Sequence, residues 1–240
     1  MSYTELKTKE EIEEAAKMSN AWQDASIPQK QWDISVAKEL VKIDEGKYYE
    51  VPPFRAFADS LYPIRKEPIN NVLEVGASSG YYGYLMDKLG YGHYDYKWEY
   101  TALDYSKAFK KFAEEKFPGI KFDIGDALNL PYNDCWFDLV ISGCCMIHLF
   151  DWKRAIREAV RVSKKYVMFH RTPLLTNTTT KFFTKEAYDV PCLEIWFGMQ
   201  EFYKELEKNC LRVINRNIVF EYQHQEFGTY GHYAIMTVKL

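Results

Sequence analysis

The chain has 240 residues, the length of one main α/β unit or at most two domains. Its 31 basic and 34 acidic residues leave a net charge of -3, which argues against a protein built to grip polyanions and disfavours a nucleic-acid partner. The longest runs free of Asp, Glu, Lys and Arg, such as Leu139 to Phe150, hold 12 residues. A membrane-spanning helix needs roughly 18. The charged opening also lacks the apolar stretch of a secretion signal, so no membrane span and a cytoplasmic location are expected.

Read in chain order, Ile12 to Trp22, Ser35 to Ile43 and Phe54 to Leu61 carry helical patterns, separated by Pro28, Gly46 and Pro52-Pro53. Residues 1–69 are therefore expected to form an N-terminal helical cap. From Asn70 onward, apolar runs of strand length alternate with amphipathic stretches, the texture of a parallel sheet with crossover helices. Strands are expected at Asn71 to Val75, Tyr100 to Leu103, Ile120 to Ile124, Phe137 to Ser142 and Tyr166 to His170. Helices follow at about Gly80 to Leu89, from Ser106 to the Pro118-Gly119 stop, and behind Asp151, where Trp152, Ala155, Ile156, Ala159 and Val160 share one face. After Pro173 comes a Thr-rich loop. The aromatic stretch Phe182 to Phe197 has no single period and reads as irregular, with at most one strand. Met199 to Leu206 marks a last helix, and the runs Leu211 to Tyr222 and Tyr230 to Leu240 pair antiparallel through Gly228. The fold class is thus α/β: a doubly wound, Rossmann-like seven-stranded sheet, mostly parallel, with a C-terminal antiparallel hairpin. Its core spans 70–240, with an acceptor-site insertion at about 172–198.

Five cysteines, at positions 135, 144, 145, 192 and 210, are odd in number and show no zinc-type spacing, so reduced, mostly buried thiols and no metal are expected. The sharpest local feature is Asn71-Val-Leu-Glu-Val-Gly-Ala-Ser-Ser-Gly80. It reads as a buried strand running into a turn whose glycines bare main-chain amides at a helix N-terminus. Asp104 ends the second core strand, where a carboxylate accepts ribose hydroxyls in doubly wound sheets, and Asp126 lies just past the third. Taken singly, each is an ordinary cap or loop acid. Glu74, Asp104 and Asp126 at three successive strand exits point to a nucleoside-bearing cofactor.

The strings Leu73-Glu-Val-Gly-Ala-Ser-Ser-Gly80, Gly125-Asp-Ala127 and Phe137-Asp-Leu-Val-Ile-Ser142, with Asp104, resemble the class I S-adenosylmethionine-dependent methyltransferases. The segment from Phe137 through His148 and Asp151 to Val162 is similar to the type 11 branch, which includes many small-molecule and quinone methyltransferases. The resemblance implies S-adenosyl-L-methionine as cofactor. It implies that Glu74, Gly76, Ala77, Ser78 and Gly80 position the methionine part, that Asp104 with Tyr105 holds the ribose, that Asp126 and the amide of Ala127 read adenine, and that Ser142 lies beside the methionine end. Ser78 departs from the family's usual glycine, and its hydroxyl adds a hydrogen bond that is expected to alter affinity.

Methyl transfer to a small-molecule acceptor by in-line displacement needs positioning above all. An acceptor that must lose a proton also needs a base, and His148 and His170 stand at the carboxyl edge. Trp22, Trp32, Tyr81, Phe183 and Trp196 offer apolar and stacking surface for the acceptor, and Arg171 a partner for an anionic group, although each also reads as packing or surface. Cys144 and Cys145 read better as small hydrophobes than as nucleophiles. Two rivals stay open: a nicotinamide-dependent oxidoreductase, whose Gly-x-Gly-x-x-Gly pattern Gly76, Ser78 and Gly80 do not match, and a non-catalytic interaction module on the same fold. Oligomeric state is not legible in the sequence.

Overall fold

A computed structural model describes residues 3–90 and 98–240, without the side chains of residues 19 and 20. The N-terminal segment opens with a short strand, β1 (Thr4–Leu6), so the cap is not wholly helical. Helix α1 (Lys9–Lys17) starts at a capping box: Thr8 Oγ1 accepts from the Glu11 amide, and Glu11 returns a carboxylate oxygen to the Thr8 amide. It gives way to a 3-10 segment over Met18–Gln23. Next, α2 (Ile27–Gln31) runs through a π turn at Trp32–Val36 into α3 (Ala37–Asp44). Pro28 thus sits in the first turn of this long helix, where its missing N–H costs nothing, and does not separate two helices. Helix α4 (Pro52–Leu61) opens on two prolines for the same reason.

The core then alternates as its apolar texture requires. In order come β2 (Asn71–Val75), α5 (Tyr81–Lys88), β3 (Glu99–Asp104), α6 (Lys107–Lys116), β4 (Lys121–Ile124), β5 (Phe137–Gly143), α7 (Trp152–Val162) and β6 (Ser163–Leu175). After them come β7 (Lys181–Ala187), β8 (Val190–Gly198), α8 (Met199–Lys208), β9 (Leu211–His224) and β10 (Gly228–Lys239). The main sheet has the order β4-β3-β2-β5-β6-β10-β9, seven strands in which β10 alone runs antiparallel to its neighbours. One face carries Val72, Leu139, Ile141 and Met168 against α3, α4 and α5, and the other carries Leu73, Val140, Val167 and Phe169 against α7 and α8. Apolar side chains on both faces are what a parallel sheet between two helical layers demands.

The structure corrects the reading of the segment after β6. The Phe182 to Phe197 stretch is a regular β7–β8 hairpin, and β1 adds to it as a third antiparallel strand, pairing Thr4 with Thr184. The hairpin escapes pattern reading because Phe183, Leu193, Ile195 and Trp196 are buried on both of its faces, and its turn residues are Tyr188 and Asp189. Both turn residues have positive φ, the requirement of a two-residue hairpin turn that Asn-Gly usually signals. Strand β6 also runs past Pro173. The ring is tolerated because residues 171–173 lie beyond the end of β5 and before the two-residue pairing with β8 begins at Leu174. The thiols differ from expectation too: only Cys192 is buried, Cys144 and Cys145 are half-buried, and Cys135 and Cys210 are exposed.

Candidate active site

A cavity of about 610 Å³ lies over the carboxyl edge of the sheet, within the size range of small-molecule sites. Its floor is laid strand by strand: the turn after β2 with Gly76, Ala77 and Ser78, then Asp104 and Tyr105 at the end of β3, Gly125 to Leu128 after β4, and Gly143 to Cys145 after β5. Arg171 in β6 closes one end. Gln31, the 3-10 residue Trp22 and Tyr188 at the hairpin tip form the roof. The roof is tied down by the Ser78 hydroxyl, which donates to Gln31 Oε1 at 2.6 Å, and by Lys30, which pairs with Asp189 at 2.9 Å. The Ser78 hydroxyl thus anchors a helix over the turn.

The turn after β2 is shaped by its backbone. Gly76 has φ +69°, and a Cβ there would collide with the Cβ and Sγ of Cys145, so only glycine fits both the conformation and the space. Its amide and that of Ala77 donate to the Leu103 carbonyl at 2.8 and 3.0 Å, which clamps the turn to β3. Asp104 lies just beyond that clamp. One of its oxygens accepts from the Ser78 amide at 3.0 Å and the other from the Ser106 amide at 2.9 Å. A carboxylate has about four acceptor positions, so the amides of Ser78, Ser106 and Tyr105 together leave about one for a ligand. Burial raises the pKa of Asp104, and the amide bonds from Ser106, Ser78 and Tyr105 work against that rise. Asp126 folds one oxygen back to the Leu128 amide at 2.8 Å and stays exposed at the β4 end, with Ala127 beside it.

Glu74 is the buried acid of the site. It accepts a hydrogen bond from the Tyr100 hydroxyl, and a Cβ on Gly143 would stand 2.8 Å from its other oxygen. Burial pushes its pKa up to about 8, with the Asp104 charge adding to the rise and the Tyr100 bond opposing it. The carboxyl of Glu74 therefore titrates near neutral pH, where a cationic ligand would drive its ionisation.

At the other end, His148 lines the cavity with its ring 5.6 Å from that of Trp22. Its Nδ1 bonds the Leu193 carbonyl at 2.6 Å, which makes Nδ1 the protonated nitrogen and leaves Nε2 as an acceptor. Burial holds the imidazole pKa down at about 4. Lys185 reaches the wall from β7 and is paired with Glu194.

Six expected site residues stand elsewhere: Gly80, Ser142, His170, Trp32, Phe183 and Trp196 are absent from the cavity lining. Ser142 is enclosed in β5 between Val75 and Phe169, and Gly143 takes the place beside Glu74. Gly80 has φ +76° and precedes α5 as a conformational element of the turn. His170 is buried in β6 with Nε2 2.7 Å from the Tyr82 hydroxyl and its ring against Phe57. Trp32 packs on Phe112 and Phe117, and Phe183 and Trp196 build a small core with Phe227 and Tyr230. Gln31 and Lys185 line the cavity although no pattern singled them out, and Cys145, read in the sequence as a small hydrophobe, lines it too; only tertiary placement reveals this.

Residues 73–169 match the family described as a methyltransferase domain. Among curated relatives, norajmaline N-methyltransferase of Rauvolfia serpentina is 52% identical over 50 residues, which cover 21% of this chain and 16% of that enzyme. The chain thus aligns with only a small part of that relative's length. Among solved structures, an S-adenosylmethionine-dependent methyltransferase from Methanosarcina mazei superposes with a TM-score of 0.53 at 16% identity, covering 72% of this chain and 94% of the other. The 1,6-didemethyltoxoflavin N1-methyltransferase of Burkholderia thailandensis, solved with its acceptor and S-adenosylhomocysteine, gives 0.56 at 13% identity over 88% of this chain and 90% of the other. These structures share the fold. Residues 73–169 thus match a methyltransferase domain, and the fold around them is the one seen in S-adenosylmethionine-dependent methyltransferase structures.

Proposed function

We propose that the chain transfers a methyl group from S-adenosylmethionine to a small-molecule acceptor by in-line displacement. Asp104 carries the reading: a carboxylate at a strand exit, fixed by the backbone amides of Ser78, Ser106 and Tyr105 and lining the cavity, suits the hydroxyls of a ribose. In the same reading the Asp126–Ala127 turn holds the adenine, and Glu74 with the Gly76 turn holds the methionine part. When bound, the cofactor supplies a methyl group on a sulfonium, which a nucleophile displaces.

The chain's own groups bind, orient and exclude water. The roof of Trp22, Gln31 and Tyr188 closes over the carboxyl edge and removes solvent from the reacting atoms. His148, neutral across the physiological range, accepts a hydrogen bond at Nε2 from an acceptor N–H or O–H and so aims the lone pair. An imidazole held near pKa 4 is a weak base, which favours an acceptor that is already nucleophilic, such as an amine or a ring nitrogen. Norajmaline N-methyltransferase and the 1,6-didemethyltoxoflavin N1-methyltransferase both methylate nitrogen, which supports the same choice. The free thiols fit a reducing compartment, in keeping with a cytoplasmic location.

Calorimetric titration tests the reading. Saturable binding of S-adenosylmethionine and S-adenosylhomocysteine, with none of a nicotinamide dinucleotide, is the expected result. Binding of the dinucleotide alone would transfer the site to hydride chemistry.

A further inference from the structure

The β6 end of the cavity holds a charge with no counter-charge. Arg171 lines the wall, and its Nε is buried without a hydrogen-bond partner. No carboxylate among the described residues lies within ion-pair distance of it; Glu39 of α3 acts on it only from farther away. Lys185, the other cation on this wall, is already neutralised by Glu194. Arg171 is half-buried, and a buried donor such as its Nε is costly to leave unmet in the free protein.

The backbone is bent to put it there. Thr172 pairs with Tyr233 and Phe169 with Ile235, so His170 and Arg171 together oppose the single residue Ala234. That is a β-bulge, and Arg171 occupies its left-handed position at φ +55°, a conformation few side-chain-bearing residues adopt. The bulge shifts the alternation: Phe169 and Leu174, an odd interval of five apart, both join the core on the α7–α8 face. One residue is thus re-aimed out of the alternating pattern, and the residue placed there is the unpaired cation. Bulges and strained non-glycine residues of this kind collect at functional sites.

Strand order locates the ligand that would complete it. Asp126, Asp104, Gly76 and Gly143 stand at β4, β3, β2 and β5, and Arg171 lies one strand farther, beyond the acid-rich stretch suited to a cationic cofactor. We propose that Arg171 is the specificity residue for the acceptor, and that the acceptor carries a single negative charge of the carboxylate type, held by the guanidinium beside Tyr188. A monoanion fits because one positive charge is left uncompensated, and a planar fork matches a carboxylate in two parallel hydrogen bonds. This inference rests on the methyltransferase reading for the word acceptor, but the anion site stands on its own geometry.

The test uses the full chain and three probes: benzoate, its neutral isostere benzamide, and phenyl phosphate as a dianion. With the protein saturated with S-adenosylhomocysteine, benzoate is expected to bind about tenfold or more tighter than benzamide and tighter than phenyl phosphate. Arg171→Gln should erase the preference for benzoate, Arg171→Lys should keep part of it, and neither should move S-adenosylhomocysteine affinity by more than about twofold. In thermal unfolding without ligand, Arg171→Gln is expected to be no less stable than the parent, because it removes a half-buried cation that has no carboxylate partner. Equal binding of benzoate and benzamide overturns the proposal. So does a loss of S-adenosylhomocysteine affinity in Arg171→Gln, which would assign the guanidinium to the cofactor's own carboxylate. Tighter phenyl phosphate also overturns it, in favour of a phosphate site. If S-adenosylhomocysteine does not bind at all, the methyltransferase reading falls, while Arg171-dependent benzoate binding to the free protein still supports the anion site and its absence still overturns it.

Discussion

At the β3–β4 end of the cavity the ligand-facing groups are carboxylates and amides fixed by the exits of parallel strands. At the β6 end they are rings and cations carried by a bulge, a hairpin tip and a helix from the far N-terminus. The first end is local: Asp104, Ser78 and Ser106 lie on two neighbouring strand-to-helix turns, and the same residues that finish the strands form the site. The second end is assembled over long distances, with Trp22 meeting Tyr188 at 5.9 Å and His148 bonding the Leu193 carbonyl. A fold can keep the first end while the second changes, which is how one cofactor site comes to serve many acceptors.

Substitutions can separate the two ends. The largest expected effect is structural. Trp196→Ala, at a side chain 2% exposed in the small core under the hairpin, should cost about 3–5 kcal/mol of stability in urea unfolding, while S-adenosylhomocysteine affinity of the folded fraction holds. A matching loss of affinity would show that the hairpin core and the cofactor end are one unit. Gly76→Ala comes next: the left-handed backbone costs about 1–2 kcal/mol and the collision with Cys145 about 1–3 more, so both stability and cofactor affinity should fall. A variant as stable as the parent would mean that the turn has room that its geometry denies.

Asp104→Asn should weaken S-adenosylhomocysteine binding by about 1.5–3 kcal/mol, the scale of hydrogen bonds to a charged group, and should leave the benzoate preference of the Arg171 end intact. Calorimetry reads both quantities. The smallest effect is a pH dependence. Glu74 is protonated below its raised pKa of about 8 and ionised above it, and only the ionised form attracts a sulfonium. Affinity for S-adenosylmethionine should therefore rise with pH through about 8, by roughly tenfold if the interaction shifts the pKa by one unit, and Glu74→Gln should flatten the profile. The sign for stability is opposite. A carboxyl whose folded pKa is raised favours the native state at low pH, and that contribution fades as pH climbs from the unfolded value near 4.5 through about 8.

The same contrast explains what the sequence discloses. Strands β2 to β5 and their helices are legible because parallel core strands are continuous apolar runs and the helices between them keep a 3.6-residue period. Glu74, Gly76, Asp104 and Asp126 are legible because each sits within a few residues of such a run's end. The hairpin is hidden by burial on both faces and by a Tyr-Asp turn. The placements of His170, Ser142, Phe183 and Trp196 fail for a related reason. Position near a strand end fixes height in the sheet, but the face on which a side chain emerges depends on register, and in β6 a bulge changes that register between His170 and Arg171. Tyr188, which lies within the aperiodic aromatic stretch Phe182 to Phe197, reaches the cavity because Lys30 and Asp189 pin the hairpin tip to α2.

The most direct measurement is a crystal structure of the complex with S-adenosylhomocysteine. Both ribose hydroxyls should lie within hydrogen-bond distance of the Asp104 carboxylate, with the adenine beside Asp126 and Ala127 and the Arg171 end left open for a second ligand. A ligand seated away from the carboxyl edge, or an Asp104 that takes no part in holding it, would contradict the account.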